Sequence, residues 1–167
     1  TKVVHCAEAS GPIHAAFSGK KNYFSSEYLD PKFSSGAVVN GVMHQDLMNL
    51  SWQDSSVDFL LSSDVLEHIP DPYRAHREIY RVLRPGGVHI FTVPFLMSDH
   101  LDQVRATIDG SGKVIHHMEP IYHSDPVRPN DGVLVYRLFS FELLTELAKI
   151  GFHTKLYQLR NRWRGIW

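Results

Sequence analysis

The fold is decided by residues 57 to 95, whose sequence is VDFLLSSDVLEHIPDPYRAHREIYRVLRPGGVHIFTVPF. This stretch begins and ends with near-continuous apolar runs, at 57–63 and 88–95, which are typical of parallel strands covered on both faces. A helix is predicted between the two runs. In one sheet, this order of strand, helix and strand implies a parallel crossover connection.

The predicted helix has residues suited to its beginning and its end. Asp71 can cap it and Pro72 suits its first position, while Pro85-Gly86-Gly87 is expected to end it. Apolar residues recur at helical spacing and form one stripe at Ala75, Ile79, Val82 and Leu83. We therefore expect one face of this helix to pack against the sheet.

Shorter patterns continue the alternation of strands and helices on both sides. Further strands are predicted at 2–7, 22–29, 41–47 and 153–159. The turn residues Ser10-Gly11-Pro12 precede a short helix, and a longer helix is predicted at 140–152, capped by Ser140 and closed by Gly151. Glycines and prolines interrupt the pattern at 96–136, so we expect an irregular insertion that acts as a lid.

Residues 1–167 are predicted to form a single α/β domain with three layers and a mostly parallel, twisted sheet. Ligands of such sheets lie beyond the carboxyl ends of the strands, near the point where strand order reverses. This rule selects the residues directly after the predicted strands, at 7–11, 27–30, Asp46, Leu47 and 62–64.

Composition excludes several classes of protein. The chain has 17 Lys and Arg against 18 Asp and Glu, so no net field attracts nucleic acid, and no nucleic-acid partner is expected. Cys6 is the only cysteine, which excludes an intrachain disulfide or a zinc-cysteine cluster and fits a reducing compartment. The apolar runs are too short to span a membrane, and the N-terminus has no signal pattern. We therefore expect a soluble, cytoplasmic protein.

The final segment, RNRWRGIW at 160–167, differs from the rest of the chain. Its arginines, Arg160, Arg162 and Arg164, make it locally basic, and Trp163 and Trp167 are large aromatic residues. It is either the start of a hairpin or a docking patch for a partner or for a second copy of the chain.

Residues 44–95 resemble the class I S-adenosylmethionine-dependent methyltransferases of the small-domain type. The matching motifs follow one another in the family's order: Asp46-Leu47, the Val57-Asp58 start of the fourth strand, LEH at 66–68 and LRPGG at 83–87. The resemblance implies a Rossmann-like methyltransferase fold, S-adenosyl-L-methionine as cofactor, and methyl transfer. Such proteins usually carry helices before the first strand and a further strand after the sixth, so the ends of this domain are expected to be truncated.

The resemblance also implies which residues bind the cofactor. Glu27, followed by Tyr28, matches the acid that accepts hydrogen bonds from both ribose hydroxyls, a geometry suited to a carboxylate. Asp30 is the fallback for this role, and the alternative is that Glu27 is a solvated turn acid. Asp46 matches the acid that binds the adenine amino group, or it caps a turn, and Leu47 supplies a backbone donor and an apolar wall.

The first motif departs from the family pattern. Family members carry an acid and then a glycine-rich turn, because Cβ atoms obstruct the close approach of backbone to the cofactor. This chain has Glu8 and a single glycine, Gly11, with the small residue Ala7 beside them. Ser63 and Asp64, after the fourth strand, are expected near the same pocket.

Methyl transfer from a sulfonium is an in-line displacement on an activated carbon, so positioning of the acceptor supplies much of the acceleration. A histidine base helps if the acceptor carries a proton to be removed. His68 and His100 are the candidates, with the alternative that His68 only caps or packs in a structural turn. The histidines of HHMEPIYH, at 116–123, match no strong zinc spacing, so no metal site is expected.

Two functions remain open from the sequence. The first is an enzyme that transfers a methyl group from S-adenosyl-L-methionine to a small molecule or to a glycan or lipid intermediate. The second, motivated by the glycine-poor first motif, is a methyltransferase-fold protein that has lost cofactor binding and serves as a binding or scaffold module.

Overall fold

The computed structural model describes residues 2–124 and 132–158. The helices are α1 (Gly11–Phe17), α2 (Pro72–Val82) and α3 (Glu142–Ile150). The strands of the main sheet are β1 (Val4–Cys6), β2 (Tyr23–Glu27), β3 (Val38–Val39), β4 (Val42–His44), β5 (Val57–Ser63) and β6 (Leu83–Thr92). The shorter strands that follow are β7 (Gln103–Val104), β8 (Ala106–Ile108), β9 (Val114–His116), β10 (Tyr122–His123), β11 (Val133–Leu134) and β12 (Arg137–Leu138).

The main sheet has the strand order β3-β4-β2-β1-β5-β6. Its pairs are parallel except for β3 with β4. β1 pairs with β2 on one side and with β5 on the other, so strand order reverses at β1. The predicted α/β class with a mostly parallel sheet is confirmed, and the reversal point defines the crevice where a ligand is expected.

Helix α2 forms as its sequence predicts. The Asp71 carboxylate accepts a hydrogen bond from the Arg74 N–H at 2.9 Å and caps the helix. Ala75, Ile79 and Val82 are fully buried, and they join Leu60 of β5 and α3 residues in one core cluster. The helix ends at Val82, and Leu83 already belongs to β6. The burial of this stripe fixes α2 against the sheet.

The expected separation of helix and strand by Pro85-Gly86-Gly87 is wrong in detail. β6 pairs first through Leu83 with Val57, and then through Val88 with Phe59. The residues between Leu83 and Val88 therefore form a break in register inside β6, where Gly86 has a φ of 77°. The glycines turn the chain within this strand and do not only stop the helix.

The expectation that both faces of the central strands are covered is wrong at β6. Val88 is 42% exposed and Ile90 is 56% exposed, whereas His89 and Phe91 point to the opposite face and contact the aromatic ring of His76 in α2. Among the described residues, no helix packs over Val88 and Ile90. The sequence pattern of β6 alone does not distinguish one covered face from two.

Over its described residues, 96–124 and 132–136, the expected irregular insertion also contains several short strands. β8 and β9 form an antiparallel hairpin around the Asp109–Lys113 turn, β10 pairs with β11, and β7 pairs with β12. Asp109 Oδ1 accepts hydrogen bonds from the backbone N–H groups of Ser111 and Lys113, which fixes the hairpin turn. The glycines that interrupt the pattern here are turn residues, and strands of two or three residues are too short to show a periodicity.

Two further differences concern the ends of the pattern. The predicted strand at 153–159 is absent over residues 153–158, which are exposed and pair with no strand. Helix α3 ends at Gly151, with a φ of 118°, as predicted, but its N-cap is Phe141, and the Ser140 hydroxyl accepts a bond from Glu142 N–H at 3.3 Å.

Over the described residues, no helix combines the length and the apolar character needed to cross a membrane. The segment at 160–167, proposed as a docking patch, lies outside the described residues.

Candidate cofactor and acceptor site

Glu27 lies at the last position of β2, at the carboxyl edge of the sheet. Its Oε1 accepts a hydrogen bond from the backbone N–H of Ala9, in the loop after β1, at 2.8 Å. The carboxylate is therefore held between the ends of two neighbouring strands. Because each carboxylate oxygen can accept more than one hydrogen bond, this position suits recognition of paired hydroxyl groups.

The loop after β1 carries a second carboxylate, that of Glu8. Burial raises the pKa of Glu8, a hydrogen bond from the Ser63 backbone opposes this, and the charge of Asp64 adds to the increase. Its Oε1 is buried and has no hydrogen-bond partner among the described residues. Gly11 follows at a φ of 83°, where any side chain is strained, so the glycine is required here by conformation. A carboxylate with one buried oxygen that has no partner among the described residues, beside a tight turn, suits a cationic or hydrogen-donating group of a ligand.

Beyond β2 and β4 lies an open cleft of about 460 Å³. Its lining includes Tyr28, Phe33, Ser35, His44, Asp46 and Asn49. Tyr28 is 42% exposed, and its ring centroid lies 5.2 Å from that of His44. The cleft thus places an aromatic face and a carboxylate at the edge of the sheet, beside Glu27.

Asp46 has two structural contacts in this cleft. Its Oδ1 accepts from Met48 N–H at 2.8 Å, and its own N–H donates to Ser35 Oγ at 2.9 Å. The turn-capping role is therefore present, and the side chain also lines the cleft. The Leu47 side chain, in contrast, is buried in the core cluster and is not among the residues that line the cleft. Ala7 is likewise buried, and its N–H donates to the carbonyl of Leu61.

Ser63 and Asp64 lie at the carboxyl end of β5, beside β6. Ser63 Oγ lies 3.0 Å from Thr92 Oγ1 of β6, and Asp64 N–H donates to Thr92 Oγ1 at 3.1 Å. Asp64 is exposed and has a φ of 51°, an uncommon conformation for a residue other than glycine. Such a conformation marks the end of the strand as a sharply turned position. Thr92 was not predicted from the sequence, because it ends a strand whose boundary was placed at residue 95.

The LEH motif forms a 3-10 turn, Leu66–His68, after β5. Glu67 is fully buried, both of its carboxylate oxygens lack hydrogen-bond partners among the described residues, and burial raises its pKa to about 7. His68 Nδ1 lies 2.9 Å from the carbonyl oxygen of Leu134. The Glu67 carbonyl accepts from Tyr136 N–H at 2.7 Å. The segment at 132–138 is therefore attached directly to this turn.

His68 and His100, the two predicted bases, lie in different surroundings. His68 packs edge-to-face against His123, with ring centroids 4.9 Å apart. His100 is exposed, and its ring lies 6.4 Å from that of Phe141, at the start of α3. The structure thus joins His68 to Glu67 and His123, a cluster that the sequence analysis did not predict. The only sequence signal for His123 was its place in HHMEPIYH.

The comparisons with known proteins concern the domain and its fold. Residues 24–91 match the family model of a methyltransferase domain. An uncharacterized methyltransferase of Mycobacterium tuberculosis (strain ATCC 25177 / H37Ra) is 44% identical over 109 residues, which cover 62% of this chain and 41% of the relative. The crystal structure of an S-adenosylmethionine-dependent methyltransferase from Mesorhizobium loti superposes with a TM-score of 0.56 at 17% identity, covering 94% of this chain and 77% of the other. Residues 24–91 of the chain thus match a methyltransferase domain, and the fold is that of solved S-adenosylmethionine-dependent methyltransferases.

The same fold is present in another solved methyltransferase. A phosphoethanolamine N-methyltransferase 2 of Haemonchus contortus, solved with phosphomonomethylethanolamine and S-adenosylhomocysteine, has a TM-score of 0.51 at 18% identity, covering 90% of this chain and 33% of the other. These likenesses establish the fold of the methyltransferase domain. The domain spans less than half the length of the curated relatives it matches, 41% of the Mycobacterium tuberculosis protein and 18% of a Mycobacterium sp. (strain KMS) protein.

Proposed function

We propose that this domain binds S-adenosyl-L-methionine along the carboxyl edge of β1, β2 and β4 and transfers its methyl group to a small molecule or to a glycan or lipid intermediate. The observation that carries the proposal is the position of Glu27, whose carboxylate is fixed by Ala9 N–H at the strand-order reversal. The match of residues 24–91 to a methyltransferase domain and the cleft beside Glu27 support it.

Each part of the cofactor has a counterpart in the described residues. Glu27 would accept hydrogen bonds from the ribose hydroxyls, and the cleft with Tyr28 and Asp46 would receive the adenine and its amino group. The unpaired, buried Glu8 oxygen beside Gly11 fits the charged amino group of the methionine part. The glycine-poor loop therefore retains one glycine at the position where backbone conformation demands it.

The reaction needs few groups from the protein. When bound, the cofactor supplies a methyl group that is already activated by its sulfonium, so the protein chiefly holds the acceptor in line with it. An acceptor that carries a proton needs a base. We assign that role to His68 in preference to His100, because His68 follows β5 at the carboxyl edge whereas His100 contacts Phe141.

Calorimetric titration with S-adenosylhomocysteine, the demethylated product, tests the proposal. The unmodified protein should bind it, and Glu27→Gln should weaken binding by roughly 10- to 100-fold, since a hydrogen bond to a charged group contributes about 1.5–3 kcal/mol. Glutamine keeps an oxygen that can accept from Ala9 N–H, so the loop should stay in place. Asp46→Asn should also weaken binding.

Asp30→Asn is the matched control, because Asp30 is the neighbouring acid and the fallback for ribose binding. Its affinity should remain that of the unmodified protein. If Glu27→Gln and Asp46→Asn both bind S-adenosylhomocysteine as tightly as the unmodified protein does, the pocket is placed wrongly. Absence of any binding by the unmodified protein would favour the alternative, a binding or scaffold module with a methyltransferase fold.

A further inference from the structure

We propose that Glu67, His68 and His123 form a binding site for a divalent cation of the kind that prefers imidazole ligands, with zinc as the reference ion. Glu67 and His68 belong to the turn after β5, and His123 ends β10. One potential ligand atom from each residue lies within 4.8 Å of the other two. The site joins two parts of the chain that are more than fifty residues apart in sequence.

The central feature of the cluster is the buried carboxylate of Glu67. The side chain has no exposed surface, and neither oxygen has a hydrogen-bond partner in the described part of the chain. Burial of an unpaired carboxylate is unfavourable, so native proteins pair such groups or use them to coordinate metals. Oε1 lies 3.7 Å from His68 Nε2 and 3.7 Å from His123 Nδ1, and it is therefore directed toward both rings.

The contact between His68 and Leu134 defines how the first imidazole is oriented. The Leu134 carbonyl oxygen can only accept a hydrogen bond, so the ring nitrogen 2.9 Å from it, Nδ1, must carry the proton. In the neutral ring, Nε2 then presents its lone pair toward Glu67. A histidine ligand that donates its other N–H to a backbone carbonyl is the usual second-shell arrangement of protein metal sites.

The distances fit a small contraction around an ion. Zinc lies about 2.0–2.1 Å from histidine nitrogen and about 2.0–2.2 Å from carboxylate oxygen, so two ligand atoms in a tetrahedral site are roughly 3.4 Å apart. The two Glu67 distances, 3.7 Å each, exceed this by only a few tenths of an ångström. Rotation of the half-exposed His123 side chain can close its own difference, whereas the Glu67–His68 distance requires a small shift of those two residues.

The donor set selects the class of ion. Two imidazoles and one carboxylate suit zinc and other transition metals, whereas magnesium and calcium prefer oxygen ligands throughout. Three protein ligands also leave a coordination position open. The proposal goes beyond the proposed function: in the ion-free protein His68 Nε2 is the proposed base, whereas an ion bound there would occupy its lone pair and act as a Lewis acid instead.

The test is a calorimetric titration of chelator-treated protein with zinc chloride, and with magnesium chloride for comparison, in the absence of cofactor. The unmodified protein should bind one zinc ion and show no comparable binding of magnesium. Glu67→Gln and His123→Gln should each weaken zinc binding at least about tenfold, the lower limit of effects seen even for outer-shell partners. Cobalt(II) should give a visible absorption band that both variants lose.

His116→Gln is the matched control, because His116 is an exposed histidine in β9 outside the cluster. Its zinc affinity should equal that of the unmodified protein. Far-ultraviolet circular dichroism in chelator checks that the variants fold, and His123→Gln, at a partly exposed position, carries the test if Glu67→Gln does not fold. Absence of one-to-one zinc binding, or the same affinity in His123→Gln as in the unmodified protein, would overturn the proposal. Cofactor binding does not enter the measurement, so failure of the proposed function would leave its result unchanged.

Discussion

At the residue scale, the histidines of the core are distinct from those of the site. His5 and His76 are fully buried, and burial lowers the pKa of each to about 4. His76 packs against the rings of Phe91 and Phe152, and both of its nitrogens lack hydrogen-bond partners among the described residues. These residues are neutral when the protein is folded, and they couple its stability to pH.

The His76→Phe variant tests this coupling. In the unfolded chain a histidine takes up its proton near pH 6.5, whereas folded His76 does so only near pH 4, so stability falls as the pH decreases through this window. Protonation of His76 in the unfolded chain lowers the free energy of unfolding by about 2 kcal/mol between pH 7 and pH 5. We expect His76→Phe to lose less stability than the unmodified protein over that range, measured by urea unfolding at each pH.

His153→Phe is the matched control, since His153 is an exposed histidine of the described part of the chain. It should keep the pH dependence of the unmodified protein. If the free energy of unfolding of His76→Phe changes with pH as steeply as that of the unmodified protein, other groups, such as His5, dominate the pH dependence of stability. Part of the pH dependence remains in any case, because His5 titrates in the same window.

At the element scale, the connection from α2 to β6 sets where the fold is least tolerant of change. A Cβ atom on Gly87 would lie 2.8 Å from the Arg84 carbonyl oxygen and 3.2 Å from that of Asp58. Both neighbours are backbone atoms that cannot rotate away. The LRPGG motif is thus needed for close packing between β5 and β6, and not only for ending a helix.

We expect Gly87→Ala to lower the free energy of unfolding by about 1–3 kcal/mol, because overpacking against backbone forces the chain to shift. Gly110→Ala is the control, since a Cβ atom there meets no atom within 4 Å. It should change stability by no more than about 0.5 kcal/mol. Equal losses in the two variants, measured by chemical denaturation, would show that the close approach at Gly87 has no energetic weight.

Elements with strong periodicity were the ones that the sequence predicted well. β5 has its predicted bounds and α2 begins at the predicted residue, Pro72, because a buried apolar run and an amphipathic stripe are local signals. The hairpins of the insertion and the absence of a strand at 153–158 depend instead on which sheet edges are available for pairing. That information is not contained in a segment of six residues.

At the scale of the whole molecule, the order of the strands determines where binding residues meet. Because β1 lies between β2 and β5, Glu8, Glu27 and Ser63 come together at one edge of the sheet, where the carboxyl ends of these strands lie. The sequence predicted this edge through the rule for parallel sheets. It could not predict that His123 joins Glu67, because that contact depends on how the returning segment at 132–138 attaches to the LEH turn.

A crystal structure of the complex with S-adenosylhomocysteine tests the central claim most directly. We expect both ribose hydroxyls to lie within about 3 Å of the Glu27 carboxylate, and the adenine to occupy the cleft between Tyr28 and Asp46. A product molecule bound away from the carboxyl edge of β1 and β2, or a ribose without contact to Glu27, would contradict it.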